Sequence, residues 1–217
     1  DFMKQQLGQL GLPEKKLIVV GNPIDTKHIE SCATIDLPDF IDFPYIVSIG
    51  RLTEPKDFFS LIHAFASLTS NTTHKLLILG EGPQKLELTA LIERLGLSER
   101  VRLLGLVPNP YPFLKHASVF VLSSRWEGYP NVLFEAQSLG TPIVVSEYDP
   151  SVRSFFSKCS PESYRIVPVA HPQSLALAIN DLLKNVAAEA SIFQPTADAL
   201  TQYEKLLTNQ YPYVESS

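Results

Sequence analysis

The chain has 217 residues, a formal net charge of −5 and 45% hydrophobic residues, which bounds it to a globular protein able to bury a sizeable core. The acidic balance, with no basic block, argues against a nucleic-acid protein held by phosphate contacts, and no apolar run reaches the ~18 residues that a membrane span needs. Two cysteines, Cys32 and Cys159, are too few and too far apart for a disulfide framework or a zinc site and read as ordinary thiols in a reducing compartment.

No signal-peptide pattern opens the sequence, and the first residue is Asp1 rather than Met, so a piece of something longer is expected. Phe2 to Leu12 reads as the end of a helix, stopped near Gly11 and Pro13, and Leu17 to Val20 as a short strand. From Ile24 to Pro44 the pattern breaks up among prolines and scattered acids and reads as a connector. Then regular alternation begins. Strands are expected at Tyr45–Ile49, Lys75–Leu79, Val101–Leu104, Ser118–Leu122, Ile143–Val145 and Arg165–Val167. Helices are expected at Phe58–Leu68, Gln84–Leu95, Tyr111–His116, Val132–Leu139, Pro172–Asn185 and Ala197–Leu207, with a helical turn at Val152–Phe156. The stripe Phe58, Leu61, Ile62, Phe65, Leu68 has the spacing of an inward helix face.

Short apolar strands alternating with helices predict an α/β fold: a Rossmann-like parallel sheet with helices on both faces. In such sheets ligands bind outside the carboxyl ends of the strands. That rule puts four loops on one rim: Gly50-Arg51, Gly80-Glu81-Gly82, Gly105 to Asn109, and Ser123 to Asn131. Arg51 and Lys56, five residues apart around Pro55, suit a diphosphate, one as a fork and one as a point charge; the plainer reading is two solvated charges. Gly80-Glu81-Gly82-Pro83 has glycines that allow close backbone approach, yet it is neither a GxGxxG fingerprint nor a P-loop. Leu106-Val107 could flank a flat base or tuck into the core.

The most informative stretch is Ser124-Arg125-Trp126-Glu127-Gly128-Tyr129-Pro130-Asn131-Val132-Leu133-Phe134-Glu135-Ala136. Two carboxylates, Glu127 and Glu135, stand with seven residues between them around a turn and a helix start. The free N–H groups of a helix start and its positive end meet phosphate oxygens, and carboxylates accept hydrogen bonds from hydroxyls. A sugar joined to a diphosphate would satisfy both.

At these residues the chain resembles the C-terminal, donor-binding domain of the GT-B retaining glycosyltransferases, the group often called glycosyltransferase family 4 or group 1. The matching pieces are Ser48-Ile49-Gly50-Arg51-Leu52 with Lys56, Leu79 to Pro83, Val101 to Gly105, Ser124 to Ala136 with its E-x7-E spacing, and Leu139 to Val144. The resemblance implies one half of a GT-B fold: residues 1–44 the tail of an absent N-terminal domain and a connector, 45–190 the nucleotide-sugar-binding domain, 191–217 a C-terminal helix and tail. It assigns Arg51 and Lys56 to the donor diphosphate and leaving group, and Glu127 to the donor sugar. Glu135 would bind the ribose, and the backbone of Asn131, Val132 and Leu133 the sugar and diphosphate. Leu106 and Val107 would surround the base, with Gly50 and Gly82 on loops facing the cleft.

The activity so implied is transfer of a hexosyl or N-acetylhexosaminyl group to a saccharide or glycolipid acceptor in cell-surface polysaccharide or glycoconjugate synthesis. The substrate would be a nucleoside-diphosphate sugar, UDP- or GDP-linked, with no metal and no other cofactor. The partner would be an N-terminal acceptor domain or subunit, with no nucleic acid and no transmembrane segment. The setting would be cytoplasmic, at the inner face of the membrane where peripheral. By itself the chain is expected to bind donor and transfer poorly. Two departures bear on this. Asp57 replaces a frequent glycine and is expected to add negative charge beside the diphosphate, and Ser146 to Ser151 replaces a glycine-rich turn near the sugar. Two alternatives stand beside it: a non-catalytic sugar-nucleotide-binding subunit paired with a separate acceptor-binding chain, and an isomerase like the sugar-nucleotide 2-epimerases.

Overall fold

A computed structural model of the chain describes residues 7–13, 24–68 and 72–186. The expected strand Leu17–Val20, the helix Ala197–Leu207 and the start of the helix Phe2–Leu12 lie outside the described residues. Six parallel strands form one sheet: β1 (Tyr45–Ile49), β2 (Lys75–Leu79), β3 (Val101–Gly105), β4 (Val119–Leu122), β5 (Ile143–Ser146) and β6 (Tyr164–Val167). Their spatial order is β3-β2-β1-β4-β5-β6. The chain therefore winds outward from β1 to one edge, crosses back, and winds outward from β4 to the other. The helices that follow β1 and β4 cover opposite faces of the sheet, so the carboxyl ends of these two strands mark the crevice where a doubly wound sheet binds its ligand.

The strands are buried on both faces because successive side chains point to opposite sides and helices cover each side. Ile46, Leu76, Ile78, Val119 and Val121 face helices α2 (Phe58–Leu68), α3 (Lys85–Arg94) and α7 (Pro172–Val186). Val47, Leu77, Leu79, Phe120 and Leu122 face α4 (Tyr111–Lys115), α5 (Asn131–Ser138) and α6 (Ser151–Phe155). At the central seam Ser48 Oγ, a buried hydroxyl, donates to Val121 O at 2.6 Å and so joins β1 to β4. Among the described residues no helix is long and apolar enough to cross a membrane.

One expectation fails in the stretch read as a connector. It contains α1 (Thr26–Cys32), capped by the Asp25 side chain, which accepts from His28 N–H at 2.9 Å. Its two turns bury Ile29, and Ala33 at the cap is buried beside it. One apolar position in seven residues leaves no stripe to read, so only docking against the main domain reveals the helix.

Candidate active site

Four loops meet at the carboxyl ends of β1, β2, β3 and β4. An opening of about 550 Å³ is lined by Ile49, Gly50, Arg51, Leu79, Gly80, Glu81, Gly82, Leu106, Val107 and Pro110. Five of the expected site residues, Gly50, Arg51, Gly82, Leu106 and Val107, thus share one cavity. Arg51 is exposed there and has no ion-pair partner among the described residues. Leu106 is 81% exposed at the mouth, so of its two readings the core-tucked one is excluded. Val107 is only half-covered and packs partly on the core. The walls are mostly apolar, with Arg51 and Glu81 the charged members.

Glycine at this rim serves the loops themselves. A Cβ on Gly82 would lie 2.3 Å from Leu52 O, and one on Gly80, at φ +141°, 2.0 Å from Gly50 O. The β1 and β2 loops run so close that Leu52 N–H donates to Glu81 O (2.9 Å) and Gln84 N–H to Leu52 O (3.1 Å). Gly82 lines the cavity, and the backbone of Leu52 already excludes a side chain there. Gly50 differs: a Cβ there would meet the Lys56 stem, Cδ and Cε each at 3.2 Å. The lysine stem therefore packs close against Gly50, itself part of the lining.

Lys56 and Glu127, from the loops after β1 and β4, form an ion pair at 2.6 Å, their side chains 20% and 11% exposed. Ser124 Oγ donates to the same Glu127 oxygen at 2.5 Å. The two cations read as a matched pair on one short loop therefore differ: Arg51 opens into the cavity and Lys56 is held by an acid across the crevice. Sequence reasoning did not single out Ser124, although a hydroxyl three residues before an acid on a tight loop is placed to bond it.

Asp57 does not add charge to the cavity. It is 2% exposed and sits in the left-handed region (φ 47°, ψ 49°) between the turn Glu54–Lys56 and α2. Its carboxylate accepts from Ser60 N–H (3.3 Å), Ser60 Oγ (2.9 Å) and Arg125 Nε (3.1 Å). A buried carboxylate is tolerated when so partnered, and its charge is spent inside the scaffold. In the turn Ser146 to Ser151, Glu147 is held by partners outside the turn: its N–H donates to Val167 O (2.7 Å), and Arg153 pairs with its carboxylate through Nε and, at 2.7 Å, through Nη2.

The helix start lies beyond the lining of this cavity. In α5, Asn131 N–H donates to Tyr129 O (3.0 Å) and Leu133 N–H to Pro130 O (2.9 Å), so the turn itself uses two of the three expected donors. Leu133 is buried, and its side chain anchors the helix in the core. Tyr129 stacks on Phe134, ring centroids 4.9 Å apart, which braces the turn. Glu135 is half-buried, and burial raises its carboxyl above the usual range. Its near neighbour is Tyr111 on α4, whose phenol is raised by burial, by the Glu135 charge and by Cys32. The structure therefore groups the site residues in three: the cavity set, the Lys56–Glu127 pair, and α5 with Glu135. Among the described residues no cluster of three or more His, Cys, Asp or Glu could hold a metal ion.

The family model for glycosyl transferases group 1 matches residues 38–199. Over 171 residues, 79% of the chain, it is 34% identical to an N-acetylgalactosaminyltransferase of Campylobacter jejuni that acts on N-acetylgalactosamine-N,N'-diacetylbacillosaminyl-diphospho-undecaprenol, covering 45% of that protein. Over 109 residues, 50% of the chain, it is 45% identical to a glycosyltransferase of Methanocaldococcus jannaschii, covering 27% of it. The chain thus spans less than half the length of these relatives. The crystal structure of Anabaena HepE in complex with UDP superposes with a TM-score of 0.74 at 19% identity, over 95% of this chain and 61% of that one. The sheet is accordingly the Rossmann-like half of a GT-B fold, and the chain belongs to the group 1 glycosyl transferases.

Proposed function

We propose that this chain is the donor-binding half of a retaining glycosyltransferase of family 4, using a UDP- or GDP-linked sugar. The observation that carries the reading is the meeting of Lys56 and Glu127 at 2.6 Å across the crevice between β1 and β4, beside the cavity that Arg51 lines. The diphosphate lies against Arg51 and the Lys56 ammonium, the base against Leu106 and Val107, and the ribose hydroxyls against Glu135. Glu127 faces the sugar, and of the backbone at Asn131 to Leu133 it is Val132, whose N–H the turn does not take, that meets the sugar and phosphates.

As the sugar bond breaks, negative charge gathers on the departing nucleoside diphosphate. Arg51 and Lys56 stand where that charge appears, which is how a preorganised site lowers a barrier. Arg51 and the Lys56 ammonium, which shares its charge with Glu127, supply the donors to the phosphates, so the step as proposed uses no divalent ion, and a chelator should leave the rate unchanged. Relatives named for lipid-linked oligosaccharide and lipopolysaccharide core synthesis favour a saccharide or glycolipid acceptor, and the UDP and UDP-glucose complexes of HepE favour a uridine donor. The acceptor would be held by a further domain or subunit, at the cytoplasmic face of a membrane where peripheral, and the chain alone would transfer poorly.

Calorimetric titration of the chain with UDP, GDP and ADP tests this. At least one should bind at micromolar to millimolar level. A lost charge-assisted contact is worth roughly 1.5–3 kcal/mol, so Arg51→Ala should weaken binding about tenfold or more. If none of the three produces heat or shifts the melting temperature, the donor reading fails.

A further inference from the structure

Lys56 and Glu127 are 71 residues apart in sequence and sit on separate loops, so something must align those loops before the pair can form. Three contacts do so. Arg125 N–H donates to Pro55 O at 2.7 Å, Arg125 Nε donates to Asp57 Oδ2 at 3.1 Å, and Ser123 Oγ donates to Lys56 O at 2.8 Å. Arg125 thus grips the residues on both sides of Lys56, one with its backbone and one with its side chain.

Asp57 is built for this grip. Its N–H closes the turn Glu54–Lys56 on Glu54 O at 3.1 Å, and its left-handed backbone redirects the chain into α2. Its carboxylate is buried, bound to Ser60 on one side and to Arg125 on the other. Arg125 is its only cationic partner among the described residues, while the guanidinium remains 42% exposed at the rim. The ion pair therefore runs from the scaffold to the surface and ties the loop after β4 to the first turn of α2.

We propose that Asp57 and Arg125 are positioning residues: through this clamp they set where the Lys56 ammonium stands against Glu127, beside the cavity. The inference rests on the donor-binding reading above. Neither residue lines the cavity; both act through Lys56. A glycine at position 57 would supply the left-handed turn without the clamp, whereas Asp57 supplies both.

The test is a double-mutant cycle read by calorimetric titration with UDP, using the full chain. Asp57→Asn removes the charge, keeps an acceptor for Ser60 N–H, and suits a left-handed position. Arg125→Ala removes the side-chain arm and leaves the backbone bond to Pro55. Each should weaken UDP binding by about tenfold, within the coupling range of residues in one network, yet add nothing in a Lys56→Ala background. Arg125→Lys should recover part of the loss. Equal losses with and without Lys56, or no loss from Asp57→Asn, overturn the clamp and leave the donor reading intact. Binding by the wild type that is indifferent to Lys56→Ala also overturns it. If the wild-type chain binds none of UDP, GDP and ADP, both readings fail together. Should Arg125→Ala unfold the chain, Asp57→Asn decides.

Discussion

Gly82→Ala separates two reasons for a glycine at a binding rim. If the glycine serves a ligand, alanine leaves the empty protein as stable as before and weakens binding. If it serves the contact between loops, alanine destabilises the empty protein. The new Cβ would stand 2.3 Å from Leu52 O and 2.7 Å from Leu52 C and N, all backbone atoms. Ordinary contact begins near 3.4 Å, so the two loops must separate by about 1 Å. That displacement stretches two hydrogen bonds, Leu52 N–H to Glu81 O at 2.9 Å and Gln84 N–H to Leu52 O at 3.1 Å. Each is worth about 1 kcal/mol net. Leu52 is fully buried, and shifting it disturbs core packing as well, for a total of about 2–4 kcal/mol. At roughly 2–4 °C per kcal/mol for a domain of this size, the melting temperature should fall by about 5–15 °C. Gly128→Ala is the control, since nothing lies within 4 Å of its Cβ, and it should change stability by less than about 0.5 kcal/mol. Circular dichroism melts without nucleotide make the comparison. A Gly82→Ala melt within about 1 °C of wild type, together with weakened UDP binding, would refute the loop-contact account.

Glu135 is raised above its ordinary 4.5 by burial, so the folded state holds its proton more tightly than the unfolded chain does. Its contribution therefore turns unfavourable as pH rises from about 4.5 through the folded value, and Glu135→Gln should gain stability relative to wild type over that window and show no gain below it; melts from pH 4 to 8 would show a flat difference if burial were not the cause. His74 runs the other way. Burial and then Arg100 lower it from 6.5, and its two ring nitrogens bond Thr72 Oγ1 (2.8 Å) and Ser118 Oγ (3.0 Å). The neutral ring's stabilisation is complete above 6.5 and is lost as pH falls through the lowered value. Urea midpoints of wild type should therefore drop on acidification more than those of His74→Asn. Leu133→Ala should cost about 2–5 kcal/mol in urea unfolding, because the side chain that anchors the start of α5 is buried; a cost below about 1 kcal/mol would place that anchor elsewhere.

The strands and the longer helices were legible because their periodicity is the imprint of one sheet buried on two faces. Tyr45–Ile49, Lys75–Leu79 and Phe58–Leu68 end where the sequence predicts. The cavity residues Gly50, Arg51, Leu106 and Val107 were legible by another rule, since each follows a strand and loops at carboxyl ends converge. What escaped has a common cause. Helix α1 has too little apolar surface to show a stripe, and the fates of Asp57 and Lys56 depend on Arg125 and Glu127, about 70 residues away.

By itself the sequence determined the alternation of strands and helices, the family, and the set of polar side chains delivered to one rim. Local spacing suffices for that, because hydrophobic period and strand-end loops are short-range properties. Only the tertiary structure decided the partnerships. Strand order put β1 beside β4, so Lys56 faces Glu127, and Asp57 lies buried under Arg125 rather than in the cavity. It also showed that Gly82 serves a contact between loops, because two loops carried by adjacent strands pass closer there than a methyl group permits.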